Sequence, residues 1–263
     1  MSNKEKTMGR LQDLFDKKKK GVLNVYFTAG FPELNSTVEI MKTLQSDGVD
    51  IIELGMPYSD PLADGPVIQE SSAVALKNGM SIATLFDQLK TFRKDIHIPV
   101  ILMGYMNPVL QFGFEKFCEM ASAVGIDGLI LPDLPPFEFE HGYGDIMKKY
   151  GLDFIFLVTP ETSAERVKKL DQLSTGFLYA VSSSSTTGKE KNMDAVVSYV
   201  DRLNGYQLRN PILVGFGIKD KVSFELLSGH ANGGIIGTAF ISRLQTEKDY
   251  ISATTTFIRS ILQ

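Results

Sequence analysis

The chain has 263 residues, 43% of them hydrophobic and 22% charged, with a formal net charge of -4; that suits one α/β barrel or two small domains with a sizeable core. The acidic balance argues against nucleic acid as the main partner, the single cysteine excludes an intrachain disulfide, and the longest apolar run, around 98–106, is far short of a membrane span. With a first ten residues too charged for a signal peptide, the chain reads as a soluble cytoplasmic protein.

Residues 8–19 are patterned as an amphipathic helix, with Leu11, Leu14 and Phe15 on one face. The basic run 17–20 falls at its end, where cations favour a helix C-terminus. Residues 22–28 form the first strand, stopped by Ala29-Gly30-Phe31-Pro32. Ser36 or Thr37 is the expected cap of a helix reaching Asp47, and 50–54 is the second strand. A loop punctuated by prolines and glycines follows. Pro66 then opens a helix over 66–77, and Ser81 caps one over 82–94. Strand three covers 98–103, and helix 115–124 holds Cys118 as a buried structural thiol. Strand four is 127–131, followed by helix 138–150. Strand five is 154–158, followed by helix 164–173, and strand six is 177–181. The polar run 182–189 reads as a mobile loop. Helix 193–203, strand 212–214, helix 222–227, strand 234–236 and a last helix over 249–262 complete the chain.

Eight apolar strands, each followed by helix, imply a parallel sheet. Eight units in about 250 residues match a (β/α)8 barrel. The expected fold is a single α/β domain over 1–263: a TIM barrel with an additional N-terminal helix and extra helices in its βα loops. The rival is a doubly wound open sheet. It is weakened because no Gly-rich dinucleotide turn follows the first strand.

In such a barrel the site lies at the C-terminal ends of the strands, and polar and aromatic residues gather there. Tyr26 and Thr28 end strand one, Glu53 ends strand two with Asp60 and Asp64 on its loop, and Tyr105 and Asn107 follow strand three. Asp133 follows strand four, and Tyr179 lies near the end of strand six. An acid at a strand end with a second on the adjoining loop is either an acid/base pair or a set of turn-capping groups. Gly215-Phe216-Gly217-Ile218 and Gly237-Thr238-Ala239 offer bare N–H groups to a phosphate; the alternative is tight turns that need positive φ. His97, His141 and His230 fall away from the strand ends, so no His/Cys metal set is expected, although an all-carboxylate magnesium site stays open. No lysine lies inside a strand, which disfavours Schiff-base chemistry.

The run Glu53-Leu54-Gly55-Met56-Pro57-Tyr58-Ser59-Asp60-Pro61-Leu62-Ala63-Asp64-Gly65-Pro66 closely resembles the signature of the tryptophan synthase alpha subunit family. Phe27-Thr28-Ala29-Gly30, Tyr105-Met106-Asn107-Pro108, Leu131-Pro132-Asp133-Leu134-Pro135, Thr187-Gly188 and Gly215-Phe216-Gly217-Ile218 resemble its other blocks, in order. The resemblance implies a lyase that splits indole-3-glycerol phosphate into indole and glyceraldehyde 3-phosphate. It implies no cofactor in this chain and no metal. The partner would be a beta subunit carrying pyridoxal phosphate, in an alpha2beta2 complex, with no nucleic acid and no membrane.

By position, the resemblance makes Glu53 the acid/base residue, Asp64 its partner, and Tyr179 a residue against the substrate. Gly188, Gly217, Gly237 and Thr238 would hold the phosphate, and Tyr26, Met103 and Ile130 the indole. Thr28, Tyr105 and Thr187 join the substrate-binding set, and Pro57 and Asp60 the partner interface. On chemical grounds Glu53 should have a raised pKa, whereas Asp64, on a wetter loop, should stay ionised. The family often has an arginine in the loop after strand six, where this chain has Ser183. Two other readings stand beside the lyase: a chiefly allosteric activating subunit, and another phosphate-binding barrel isomerase or epimerase.

Overall fold

The computed structural model describes residues 9–181, 193–215 and 217–263. Its parallel strands are β1 (Val22–Thr28), β2 (Ile51–Gly55), β3 (Val100–Met103), β4 (Gly128–Ile130), β5 (Asp153–Phe154), β6 (Leu157–Val158), β7 (Leu178–Ala180), β8 (Ile212–Val214) and β9 (Gly233–Ile236). They pair in the order β5-β4-β3-β2-β1-β9-β8-β7-β6. The two ends of that order are neighbours in the chain, separated only by Ile155 and Phe156. Ile155 N donates to Leu129 O at 3.1 Å on one side, and Tyr179 N donates to Phe156 O at 3.1 Å on the other. The single strand expected over 154–158 is therefore divided. It leaves β4 and joins β7 within two residues, and that transfer closes the barrel.

The helices are α1 (Arg10–Lys17), α2 (Thr37–Ser46), α3 (Pro66–Lys77), α4 (Ile82–Leu89), α5 (Met106–Phe112), α6 (Phe114–Val124), α7 (Pro136–Glu138), α8 (Gly144–Lys149), α9 (Ala164–Leu173), α10 (Met193–Asn204), α11 (Lys221–His230), α12 (Thr238–Thr246) and α13 (Tyr250–Leu262). Outward strand residues such as Leu23, Val25, Phe27, Leu54 and Leu102 pack beneath the helices in one large core. Inward residues form a second cluster: Val22, Ile51, Ile101, Ile130, Ile155, Phe177, Tyr179, Leu213 and Ile235, closed below by Leu11 and Phe15 of α1. The amphipathic first helix is thus the plug of the barrel floor. Its basic tail pairs off at that face, Lys18 with Asp50 and Lys19 with Asp16.

Several local readings change. Two helices were unforeseen. The first, α5, takes its cap from Asp133, whose carboxylate accepts from Met106 N at 3.0 Å through both oxygens; α12 starts directly after β9 with no capping side chain. Ser36 and Thr37 do not cap α2. Ser36 donates to Glu33 O at 2.7 Å, and Thr37 accepts from Gly30 N at 2.9 Å, so both tie down the loop after β1. Ser81 does cap α4, accepting from Thr84 N at 3.1 Å; the helix stops at Leu89, short of the expected end, before a 3-10 turn over Phe92–Lys94. The helix expected over 138–150 starts at Pro136 and contains a π-type turn, Phe139–Tyr143, where Gly142 leaves helical geometry. Cys118 is buried, and burial pushes its thiol up to about 12. Among the described residues no helix is long and apolar enough to cross a membrane.

The seam between β1 and β9 is tight enough to test. A Cβ on Gly233 would lie 2.0 Å from the Val22 carbonyl oxygen. Gly233→Ala is expected to destabilise the barrel by about 1–3 kcal/mol, the usual penalty for overpacking, seen as a lower urea midpoint. An unchanged midpoint would mean the seam opens without cost.

Candidate active site

Alternation along the strands decides what enters the lumen. On β1 it turns Val22, Asn24 and Tyr26 inward; on β2 it turns Ile51 and Glu53 inward, and Tyr26 is paired with Glu53 in register. Glu53 is 0% exposed. Its Oε1 accepts from Asn24 Nδ2 at 2.5 Å, and its Oε2 has no partner among the described residues. Burial pushes the carboxyl up to about 8, with the Asn24 hydrogen bond acting the other way. Such a group is uncharged near neutrality and close enough to its titration to give and take a proton.

Asp64 stands on the loop between β2 and α3. Its Oδ2 accepts from the Tyr105 hydroxyl at 3.0 Å, and that hydroxyl accepts from Ala63 N at 3.2 Å. The Tyr105 ring lies 5.4 Å from that of Tyr58, whose hydroxyl accepts from Asn107 Nδ2 at 3.0 Å. Asp64 lies on a drier loop than expected. Asp64 is half-buried, and burial raises its carboxyl above the ordinary range, with the Tyr105 hydrogen bond opposing.

A cavity of about 370 Å³ opens at the C-terminal ends of β8 and β9. Tyr26, Met103, Tyr179, Gly217, Gly237 and Thr238 all line it. A narrow recess holding Asp64, Tyr58 and Tyr105 adjoins it and shares Tyr26 and Met103. Glu53 opens on neither space and lies closed off beside Tyr26. Burial, reinforced by nearby carboxyls, raises the phenols of Tyr26 and Tyr179 far above their usual range, so both are neutral hydrogen-bonding groups. Gly215 makes room for one of them: a Cβ there would lie 2.0 Å from the Tyr179 ring. Gly217 does adopt positive φ, at 67°, and Gly237 precedes α12 with no side-chain cap, while Gly237, Thr238 and Ala239 at that helix start line the cavity.

The remaining expected residues are scattered. Thr28 is fully buried and shares a hydrogen bond with Ser71 of α3 at 2.6 Å. Ile130 is sealed in the lumen. Pro57 is half-buried, and Asp60 is exposed and accepts from Ser59 Oγ at 2.5 Å. Ser183, Thr187 and Gly188 lie outside the described residues. Two residues were overlooked. Asn24 was hidden inside an apolar strand, though its inward phase marks it. Lys219, directly after the Gly-Phe-Gly-Ile run, is the one charged residue lining the cavity among the described residues. Among the described residues no group of three or more His, Cys, Asp or Glu could hold a metal ion. A separate cavity of about 440 Å³ lies at the opposite face, beside Gln12, Asp16 and Arg209.

The model of one protein family, the tryptophan synthase alpha chain, matches residues 12–260. A tryptophan synthase alpha chain from Parabacteroides distasonis is 46% identical over 257 residues, 97% of this chain and 100% of that protein. One from Flavobacterium johnsoniae is 49% identical over 238 residues, covering 90% and 94%. Among solved structures, the subunit alpha from Legionella pneumophila superposes with a TM-score of 0.88 at 36% identity, covering 97% of each chain. The A-subunit from Pyrococcus furiosus gives 0.85 at 34%, covering 93% and 99%.

Burial of Glu53 has a cost that depends on pH. The folded chain keeps the Glu53 proton up to about 8, whereas the ordinary value is 4.5. Between those values the unfolded state binds fewer protons, so this group's contribution to stability falls as pH rises. Glu53→Gln is therefore expected to gain on the parent chain by a few kcal/mol between pH 5 and pH 8, on the order set by the shift. Urea midpoints of both proteins at the two pH values measure it; the same offset at both would contradict the raised titration.

Proposed function

The chain belongs to the tryptophan synthase alpha chain family, and from that premise we propose how its residues carry the family's reaction. It is a carbon–carbon lyase of tryptophan biosynthesis that splits indole-3-glycerol phosphate into indole and glyceraldehyde 3-phosphate. It works with a beta subunit in an alpha2beta2 complex, and the pyridoxal phosphate belongs to that partner.

The carrying observation is the buried, uncharged carboxyl of Glu53, closed off beside Tyr26, which itself lines a cavity with Gly215, Gly217 and Gly237. Glu53 gives its proton to indole C3. The ring becomes a cation, and its charge is shared with the N–H. Asp64 accepts a hydrogen bond from that N–H and stabilises the charge. The bond from C3 to the hydroxyl-bearing side-chain carbon then breaks. Its electron pair returns to the ring, and the hydroxyl becomes the aldehyde as its proton passes to the Glu53 carboxylate. The acid is regenerated, and no outside electron or proton is needed.

Tyr179 stands against the substrate, and Tyr26 and Met103 hold the indole above Ile130. Tyr105 orients Asp64, and Thr28 supports this wall through Ser71. Gly217, Gly237 and Thr238 hold the phosphate through N–H groups and a hydroxyl, joined by Gly188, and Thr187 joins the substrate set. Lys219 adds a cation. Pro57 and Asp60 face the beta subunit. Support for that face comes from apolar side chains left exposed in the successive segments after β2, β3 and β4: Leu62 on a loop at 92%, Leu110 of α5 at 46% and Phe137 of α7 at 63%. The whole chain, 1–263, acts as one domain, and we place it in the cytoplasm.

Glu53→Gln is expected to lower kcat by about 10²-fold or more, the scale of a lost acid/base group, followed as indole release with chelator present; near-normal turnover ends the assignment. Lys219→Met is expected to raise KM for indole-3-glycerol phosphate by about tenfold, the worth of one charge-assisted contact, with kcat little changed. An unaltered KM removes Lys219 from the phosphate site.

A further inference from the structure

We propose that Asn24 is a positioning residue for this reaction: its carboxamide grips one oxygen of Glu53 and so leaves the other, Oε2, as the oxygen that carries the proton to and from the substrate. The inference rests on the reading of Glu53 as acid and base.

Asn24 is 0% exposed in a strand that is buried throughout. An amide in such a place is costly unless it is bonded, and packing alone would be served by valine. Its one side-chain hydrogen bond among the described residues runs from Nδ2 to Glu53 Oε1, at 2.5 Å. The two orphaned acceptors in this part of the lumen, Asn24 Oδ1 and Glu53 Oε2, belong to the same pair of side chains. The pairing is geometric in origin. Asn24 and Tyr26 point inward on β1, Glu53 is the register partner of Tyr26, and the amide reaches it from one step below.

An oxygen that already accepts from an N–H is the poorer place for a proton, so a protonated Glu53 carries its hydrogen on Oε2. When that proton has gone to the ring carbon, the same N–H stays on Oε1 and supports the carboxylate. Oε2 is then bare and ready for the hydroxyl proton. Asn24 neither gains nor loses a proton. It keeps the carboxyl from turning and fixes which oxygen does the chemistry. The other titratable groups around the acid are Tyr26 of β1, Tyr179 of β7 and Asp64 of the adjoining loop. The tyrosines are held neutral, and Glu53 itself has no charged contributor to its shift.

The test is Asn24→Val, read as kcat, KM and the pH profile of kcat/KM for indole-3-glycerol phosphate cleavage. The lost donor served the ionised form, so Glu53 ionises later. The alkaline limb, where rate is lost as the acid deprotonates, should move up by about one pH unit. At pH 7 kcat should fall by about tenfold, with KM within about twofold, the pattern of a mispositioned acid. Asn24→Thr keeps a hydroxyl donor on a strand-forming residue. It should fall between the two, and it carries the test if the valine variant does not fold. A limb that stays in place with kcat unchanged overturns the inference, as does a loss of rate at every pH without movement of the limb. If the parent chain itself fails to cleave the substrate, the functional reading has failed. If it cleaves, Glu53→Gln does not, and Asn24→Val matches the parent, this inference alone has failed.

Discussion

A closed ring of strands has space inside for few side chains, and here nearly all of them are hydrocarbon. Into that lumen β2 inserts one carboxyl. An isolated charge there would be very costly, and the chain answers the problem by keeping Glu53 protonated. Burial raises the group, in a lumen otherwise lined by isoleucines with Leu11 and Phe15 of α1 at its floor. A helix that looks like a mere N-terminal appendage is therefore part of the apolar packing that fills the lumen. The same apolar layer that stabilises the barrel sets the proton affinity of its acid.

The upper end of the lumen is built around two phenol rings, and glycine decides where they can lie. A Cβ at Gly55 would meet the Tyr26 hydroxyl at 2.4 Å, and one at Gly215 would meet the Tyr179 ring at 2.0 Å. These glycines serve close approach, whereas Gly217 serves a positive φ. Three glycines that look alike in the sequence thus have two different physical reasons. Gly215 and Gly217 leave bare backbone in the cavity lining beside Tyr179.

Most of the architecture was legible because short apolar runs, buried on both faces of the sheet, and regular β/α alternation are local signals. Helix α3 matches its expected bounds, opened by Pro66, and β1 and β8 match theirs. What could not be read was decided by contacts distant in sequence. The cap of α5 is Asp133, 27 positions away, and the split of strand five follows from a change of neighbour that no local pattern records. At the site, Glu53 and Asp64 stood out by their position against apolar strand and loop. The partial burial of Asp64 was not legible, because its partner Tyr105 arrives from another βα unit. Asn24 escaped because one polar residue in an apolar strand gives no sign of its partner until register is known.

The two ends of the barrel treat a buried acid in opposite ways. At the floor, Asp127 is nearly as buried as Glu53, with its side chain 6% exposed. Arg10 meets its Oδ1 at 2.9 Å, Val100 N donates to its Oδ2 at 2.7 Å, and Arg93 closes on the same oxygen. Arg93 also donates to the carbonyls of Gly125 and Ile98, so the cluster joins α1, β3 and β4 into one network. Each oxygen of that carboxylate is occupied, and its charge is matched. Glu53 receives a single neutral donor on a single oxygen. Depth of burial is similar in the two places, so burial alone does not separate an acid that holds the fold from one proposed to do chemistry. The number and charge of the donors does: two arginines and a backbone amide occupy both oxygens of Asp127, whereas one carboxamide leaves Glu53 Oε2 without a partner among the described residues.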